Sequence, residues 1–158
     1  FTNIDCAQIQ PIIFQNKNLL EDFIDIHKTD IIIKCADFLK NDNKDLFLRH
    51  LRENNLYPLN MFITKVKYFR EYCDEIFPWL DKSLNLCLKK NLCTDYNLRL
   101  PAFLAERFTS FWFSKFSNRI SLSYARLGKI YLSNQLNHII YPLNIPFTFT
   151  GYPTIHKY

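Results

Sequence analysis

The sequence predicts an α/β chain, or an α+β one if these residues are read alone. Two observations lead there. Segments with apolar residues at helical spacing alternate with short apolar or β-branched runs, the pattern of helices layered on a sheet. Only two such runs occur, too few for a complete doubly wound sheet, so further strands are expected from the tail or from a longer polypeptide. With 158 residues, nearly half of them apolar, the chain is long enough for a single cored domain over 1–158. The stretch 114–158 is its weakest part.

Leu20, Phe23, Ile24 and His27 recur at helical spacing between Asn16 and Lys28, with Asn16 or Asn18 available as a cap. Asp30-Ile31-Ile32-Ile33-Lys34 reads as a buried strand. Ala36 to Leu39 begins a helix that Asn41-Asp42-Asn43 interrupts, and Lys44 to Asn54 resumes it through Phe47 and Leu51. Tyr57-Pro58 stops that helix, and Asn60 to Thr64 reads as a second strand.

The longest periodic segment follows. Val66, Phe69, Cys73, Ile76, Phe77, Leu80, Leu84 and Cys87 form its apolar face, with Pro78 inside, where a kink or break is expected. Asn91 to Asn97 is a loop. From Tyr96 to Trp112 a further helix is apolar almost all round, with Pro101 suited to its first turn. Ile139 to Phe149 looks extended, and Gly151-Tyr152-Pro153 is a turn.

Composition excludes several classes. The five cysteines are odd in number and lack Cys-x-x-Cys spacing, which fits reduced thiols in the cytoplasm better than a disulfide framework or a zinc site. Only Gly128 and Gly151 are glycines, so a glycine-rich phosphate loop is absent from the sequence. His27, His50, His138 and His156 lack ligand spacing, His156 alone meriting mutation, and no Gly-x-Ser-x-Gly or Cys/His nucleophile pattern occurs. A net charge of +5, dispersed among acids, gives no nucleic-acid footprint. It leaves peripheral contact with a membrane open. Phe1-Thr2-Asn3-Ile4-Asp5 has neither an initiator Met nor a signal peptide, so the chain is expected to be part of something longer.

The candidate site centres on Glu106, a carboxylate inside an apolar helix and the expected catalytic residue. A carboxylate held against an apolar wall suits a general base. The alternatives are an ion pair with Arg99 or Arg107 that locks the helix, and a plain ligand for a hydroxyl. Arg99 and Arg107 are candidate donors to a diphosphate or an acidic sugar, or else that carboxylate's partners. Asn60 offers hydrogen bonds to a sugar, or forms a turn. Tyr96, Trp79 and Trp112 offer stacking surfaces, or are core.

Two blocks together resemble a known family. One is Asn60-Met61-Phe62-Ile63, then Phe69-Arg70-Glu71-Tyr72-Cys73 and Ile76-Phe77-Pro78-Trp79-Leu80. The other is Arg99, then Phe103-Leu104-Ala105-Glu106-Arg107 and Trp112. Their order and spacing resemble the C-terminal part of bacterial glycosyltransferases of capsular polysaccharide and lipopolysaccharide synthesis, of the domain-of-unknown-function 4422 type. The resemblance spans Asp30 to Phe113. It implies a helix-rich part of a GT-A-like fold and transfer from a nucleotide-sugar donor to a growing glycan acceptor, at a cytoplasmic location, with peripheral attachment to the inner membrane left open. Any divalent metal, on this resemblance, has its ligands outside this chain. The N-terminal half of that pattern, with its His-Tyr-Arg-Arg segment, is not in this sequence, and no Asp-x-Asp motif stands in a suitable setting. The competing class is a non-catalytic helical interaction module, with surplus apolar surface on the long helix or around Phe147-Thr148-Phe149.

Overall fold

The computed structural model describes residues 4–116 and 118–122. The chain runs through β1 (Cys6–Ile9), β2 (Ile12–Ile13), α1 (Leu19–His27), α2 (Ile31–Cys35) and, after a 3-10 turn at Ala36–Phe38, α3 (Asn41–His50). There follow β3 (Asn55–Leu56), β4 (Phe62–Thr64) and α4 (Val66–Lys89). A 3-10 helix at Asp95–Arg99 leads into α5 (Leu100–Ser114), and β5 (Arg119–Leu122) closes the series. Helices and strands are mixed, as the sequence predicts. Strand β1 is central in a three-stranded sheet, antiparallel to β4 and parallel to β5, and β2 pairs with β3 in a separate ribbon.

Helix α5 forms the middle of the core. Leu100, Leu104, Phe108, Phe111, Trp112 and Phe113 are all buried on it, and from Arg107 to Phe113 the all-round apolar pattern reflects packing on every side. Phe108 stacks on Trp79 of α4 with centroids 4.9 Å apart, and Phe111 meets Phe47 of α3 at 5.2 Å. Trp79 also donates its indole N–H to the Cys35 carbonyl at 2.8 Å, tying α4 to the end of α2. Tyr72 hydrogen-bonds Thr109 at 2.7 Å across the α4–α5 seam, and burial pushes its phenol pKa up to about 12.

Several elements differ from expectation. Asp30 to Lys34 is not a strand: Ile31 to Cys35 is a helix, burying Ile31, Ile32 and Cys35 while Ile33 and Lys34 face out. That burial has helical period, which a five-residue apolar run cannot reveal by itself. Asn41 to Asn43 starts α3 instead of interrupting it, and α3 ends at His50. Strand β1 carries no alternation because all four of its residues are buried. Pro78 neither breaks nor ends α4, which stays helical through it; Pro78 is exposed, where water can serve the freed Asp74 carbonyl. The apolar face read for α4 is split: of its members Ile76 and Cys87 enter the core, joined there by Tyr72, Trp79 and Ser83, whereas Val66, Phe69, Phe77 and Leu84 stay exposed, as does Leu88.

All five cysteines are free thiols. Among the described residues no helix is long and apolar enough to cross a membrane. The extended stretch at Ile139 to Phe149, the turn at Gly151, His138 and His156 lie outside the described residues.

Truncating Phe108 to Ala should remove the aromatic stack joining α4 and α5, at a cost of about 3–5 kcal/mol. Urea unfolding followed by circular dichroism reads this directly. A cost below about 1 kcal/mol would mean that α5 is not the centre of the core.

Candidate functional site

The site begins at the α1 cap. Asn18 accepts the Glu21 N–H at 2.9 Å and its own N–H is taken by the Glu21 carboxylate, a reciprocal box that fixes the helix start. One residue further, Asp22 turns inward, and five residues beyond it His27 does the same; both are buried.

Asp22 meets α5 through a chain of alternating charges. Lys17 lies 2.8 Å from Asp22 Oδ1, and Arg107 donates from one terminal nitrogen to Asp22 Oδ2 at 2.7 Å. The other terminal nitrogen donates to Glu106 Oε2 at 2.8 Å. Glu106 Oε1 in turn accepts the backbone N–H of Leu59 at 2.7 Å. Two cations and two anions alternate, so the buried guanidinium is neutralised on both sides.

That last hydrogen bond clamps an unusual turn. Leu59 and Asn60 have φ of 71° and 51°, a left-handed pair without glycine. Each such residue costs about 1–2 kcal/mol. Asn60 is secured from the other side by Thr109. The Thr109 hydroxyl oxygen lies 2.9 Å from Asn60 Oδ1 and 2.8 Å from the Ala105 carbonyl, with Tyr72 donating into it. Its single proton is therefore shared between two acceptors.

Beside Glu106 on the same face of α5, one turn earlier, lies Phe103. Tyr96 stacks on Phe103 at 5.5 Å with 25° between planes, and the Arg99 guanidinium sits 5.5 Å from the Phe103 ring. Tyr96 is 60% exposed, which leaves an aromatic surface open to solvent. Beneath it is His27, with Phe103 at 4.5 Å and Tyr96 at 6.0 Å. Asn97 clasps His27 twice, with Oδ1 against Nδ1 at 2.8 Å and its amide donating to the His27 carbonyl at 3.0 Å. With Oδ1 accepting, the neutral ring carries its proton on Nδ1, and the buried Nε2 is a bare acceptor with no partner among the described residues. Burial drives the His27 pKa below its ordinary 6.5, outweighing the opposing pull of Asn97.

Glu106, Arg107 and Asn60 thus meet across α5 and the 59–60 turn, while Tyr96 and Arg99 join them through Phe103. Their accessibilities differ. The Arg107 side chain is 2% exposed with both terminal nitrogens on carboxylates of this chain, so it is an ion-pair partner and not a surface donor. Glu106 keeps 16% of its side chain accessible. Trp79 and Trp112 are core, Trp112 donating its N–H to Glu75 at 2.9 Å. Asp22, Lys17, His27 and Asn97 are additions that sequence reading missed. The only available signal for Asp22 was an acid at a helical position otherwise facing the core.

The family described as Domain of unknown function (DUF4422) matches residues 1–118. The chain belongs to the DUF4422 family. The matched stretch of this DUF4422 chain contains every residue of the site just described. Neither a curated protein nor a solved structure matches the sequence. Among the described residues of the DUF4422 domain, no group of three or more His, Cys, Asp or Glu side chains is gathered as a metal centre.

Two outcomes follow for the DUF4422 site. Asp22→Asn should destabilise the fold by about 3 kcal/mol, because it leaves Arg107 buried with a single carboxylate. Adding Arg107→Met should recover much of that loss, and strictly additive costs in the double-mutant cycle would dismiss the coupling. The second concerns pH. Between its folded pKa and 6.5 the unfolded chain binds a proton at His27 that the native state refuses. Stability is therefore full above 6.5 and falls as the solution is acidified, by up to about 1.4 kcal/mol per pH unit. Urea midpoints between neutral and mildly acidic pH should show this decline, and His27→Gln should flatten it.

Proposed function

We propose that this chain forms the acceptor-side wall of a GT-A-like glycosyltransferase, transferring a sugar from a nucleotide-sugar donor to a surface polysaccharide. The observation that carries the reading is Glu106: a carboxylate that stays accessible yet is fixed by two directional hydrogen bonds, beside an exposed aromatic ring. Sugars are bound by such pairs, a ring face against their C–H surface and a carboxylate on their hydroxyls. The likeness of the Phe-Leu-Ala-Glu-Arg block to surface-polysaccharide transferases supports the same class.

In this mechanism the acceptor sugar lies against Tyr96 with one hydroxyl on Glu106. The carboxylate takes the hydroxyl proton as the acceptor oxygen bonds to the anomeric carbon from the face opposite the diphosphate. The bond from that carbon to the diphosphate oxygen breaks, and the nucleoside diphosphate leaves with the electron pair, so configuration inverts. Arg107 acts as a positioning residue, since its hydrogen bond to Oε2 and the Leu59 N–H on Oε1 set the direction of the remaining lone pairs. Arg99, on the surface at the Phe103 ring, is the cation free to meet an acidic sugar or the departing diphosphate. Asn60 holds the turn that Glu106 clamps. No step is assigned to a metal, for which this stretch gathers no donor set.

Glu106→Gln is the test, because glutamine keeps an oxygen for the Leu59 N–H and loses the proton acceptor. In the longest native polypeptide carrying this chain, transfer from a panel of UDP-, GDP- and dTDP-sugars should fall by about 10²–10⁴-fold, measured at a temperature where circular dichroism shows the variant still folded, since Arg107 keeps only Asp22 as a counter-charge and some stability is lost. Wild-type turnover in that variant would remove Glu106 from the chemistry.

A further inference from the structure

The exposed apolar residues of α4 form an ordered set. Val66, Phe69, Phe77, Leu84 and Leu88 are exposed, and with the half-buried Cys73 and Leu80, which also touch the core, they repeat every eleven positions: Val66, Phe77 and Leu88; Phe69 and Leu80; Cys73 and Leu84. An eleven-residue repeat has about 3.67 residues per turn, so these side chains form a nearly straight stripe along an α-helix. The stripe runs about 33 Å. It borders the core face through Tyr72, Ile76, Trp79, Ser83 and Cys87, meeting it at Cys73 and Leu80, and Phe77 at its middle is 63% exposed. At its N-terminal end Val66 and Phe69 continue into an open apolar groove of about 690 Å³ that Met61, Ile63 and Leu122 also line.

We propose that this stripe is a self-association surface on which α4 of a second copy packs antiparallel. Charge placement selects this occupant. Along the solvent edge of the stripe stand Lys67 and Arg70 in the N-terminal half, then Asp74 and Asp81. A parallel pairing sets each of these against its own twin. The antiparallel pairing, with its two-fold axis between Asp74 and Pro78, brings Arg70 level with Asp81 of the second copy and leaves only Asp74 near its twin. Leu84 and Leu88 of the second copy then come to rest beside Val66 and Phe69, at the mouth of the groove. A straight stripe pairs best with a helix of the same repeat, which a second copy supplies by construction. The two acids on the rim offset its two cations, so it offers no net attraction to an anionic membrane.

Sedimentation velocity on the intact chain over about 1–100 µM, the range for a micromolar complex, tests the proposal. The expected species is twice the 19.0 kDa chain mass. Phe77→Asp lies outside the core, so circular dichroism should be unchanged while association weakens by about thirtyfold or more. Arg70→Asp should weaken it by several-fold, and Arg70→Asp combined with Asp81→Arg should restore it. That rescue is specific to the antiparallel pair. A wild-type monomer throughout the range overturns the proposal, as does a dimer indifferent to Phe77→Asp, or charge variants that fail to compensate. A monomer that binds phosphatidylglycerol vesicles through Phe77 also overturns it, assigning the stripe to lipid.

Discussion

The Arg107 guanidinium is the constraint on which the rest of this structure turns. It is only 2% exposed, a setting where an unpaired charge is not tolerated, so Asp22 and Glu106 have to be where they are. Asp22 fixes the approach of α1 to α5. Glu106 fixes the Leu59–Asn60 turn, and that turn sets the direction in which β4 enters the sheet. One buried cation therefore helps hold three parts of the chain, far apart in sequence, in register. The same demand leaves Glu106 at the edge of the core, partly wetted and unable to swing.

This arrangement relates a structural role to a chemical one. An ion pair that locks a helix and a base that accepts a proton are often set against each other as readings of a carboxylate. Here the two are compatible, because each oxygen carries two lone pairs and the lock uses one on each. His27 adds a neutral floor below the aromatic shelf of Tyr96 and Phe103. Its clasp by Asn97 stiffens the 3-10 helix that presents Tyr96 and Arg99, so the exposed ring is held from beneath.

What was legible in the sequence follows from range. Helices α1, α4 and α5 were readable because their apolar spacing is local and long, and the Asn18 cap and Pro101 mark their starts. Glu106 and Arg107 stood out for the same reason, as charges inside an apolar period. The partner Asp22 was not readable: it is 85 residues from Arg107, and no local pattern encodes a contact at that distance. The short α2 was mistaken because five residues are too few to separate periods of two and 3.6. Helix α4 shows a subtler limit. Its apolar residues cover so much of the circumference that spacing alone cannot tell which part faces the core, and only the position of α5 decides it.

The sheet imposes an order on assembly. Strand β1 lies between a neighbour that follows it by some fifty positions and another at the far end of the described chain; the contact from Asp5 to Asn118 spans 113 residues. During synthesis the helices emerge between these strands and can collapse around α5 once it has left the ribosome. Strand β1, made before every other described element, must wait for β5 before its second edge is covered. A nascent polypeptide interrupted before Leu122 would thus hold a finished helical core beside an open strand with Cys6, Ala7 and Ile9 uncovered, the kind of edge on which chaperones act.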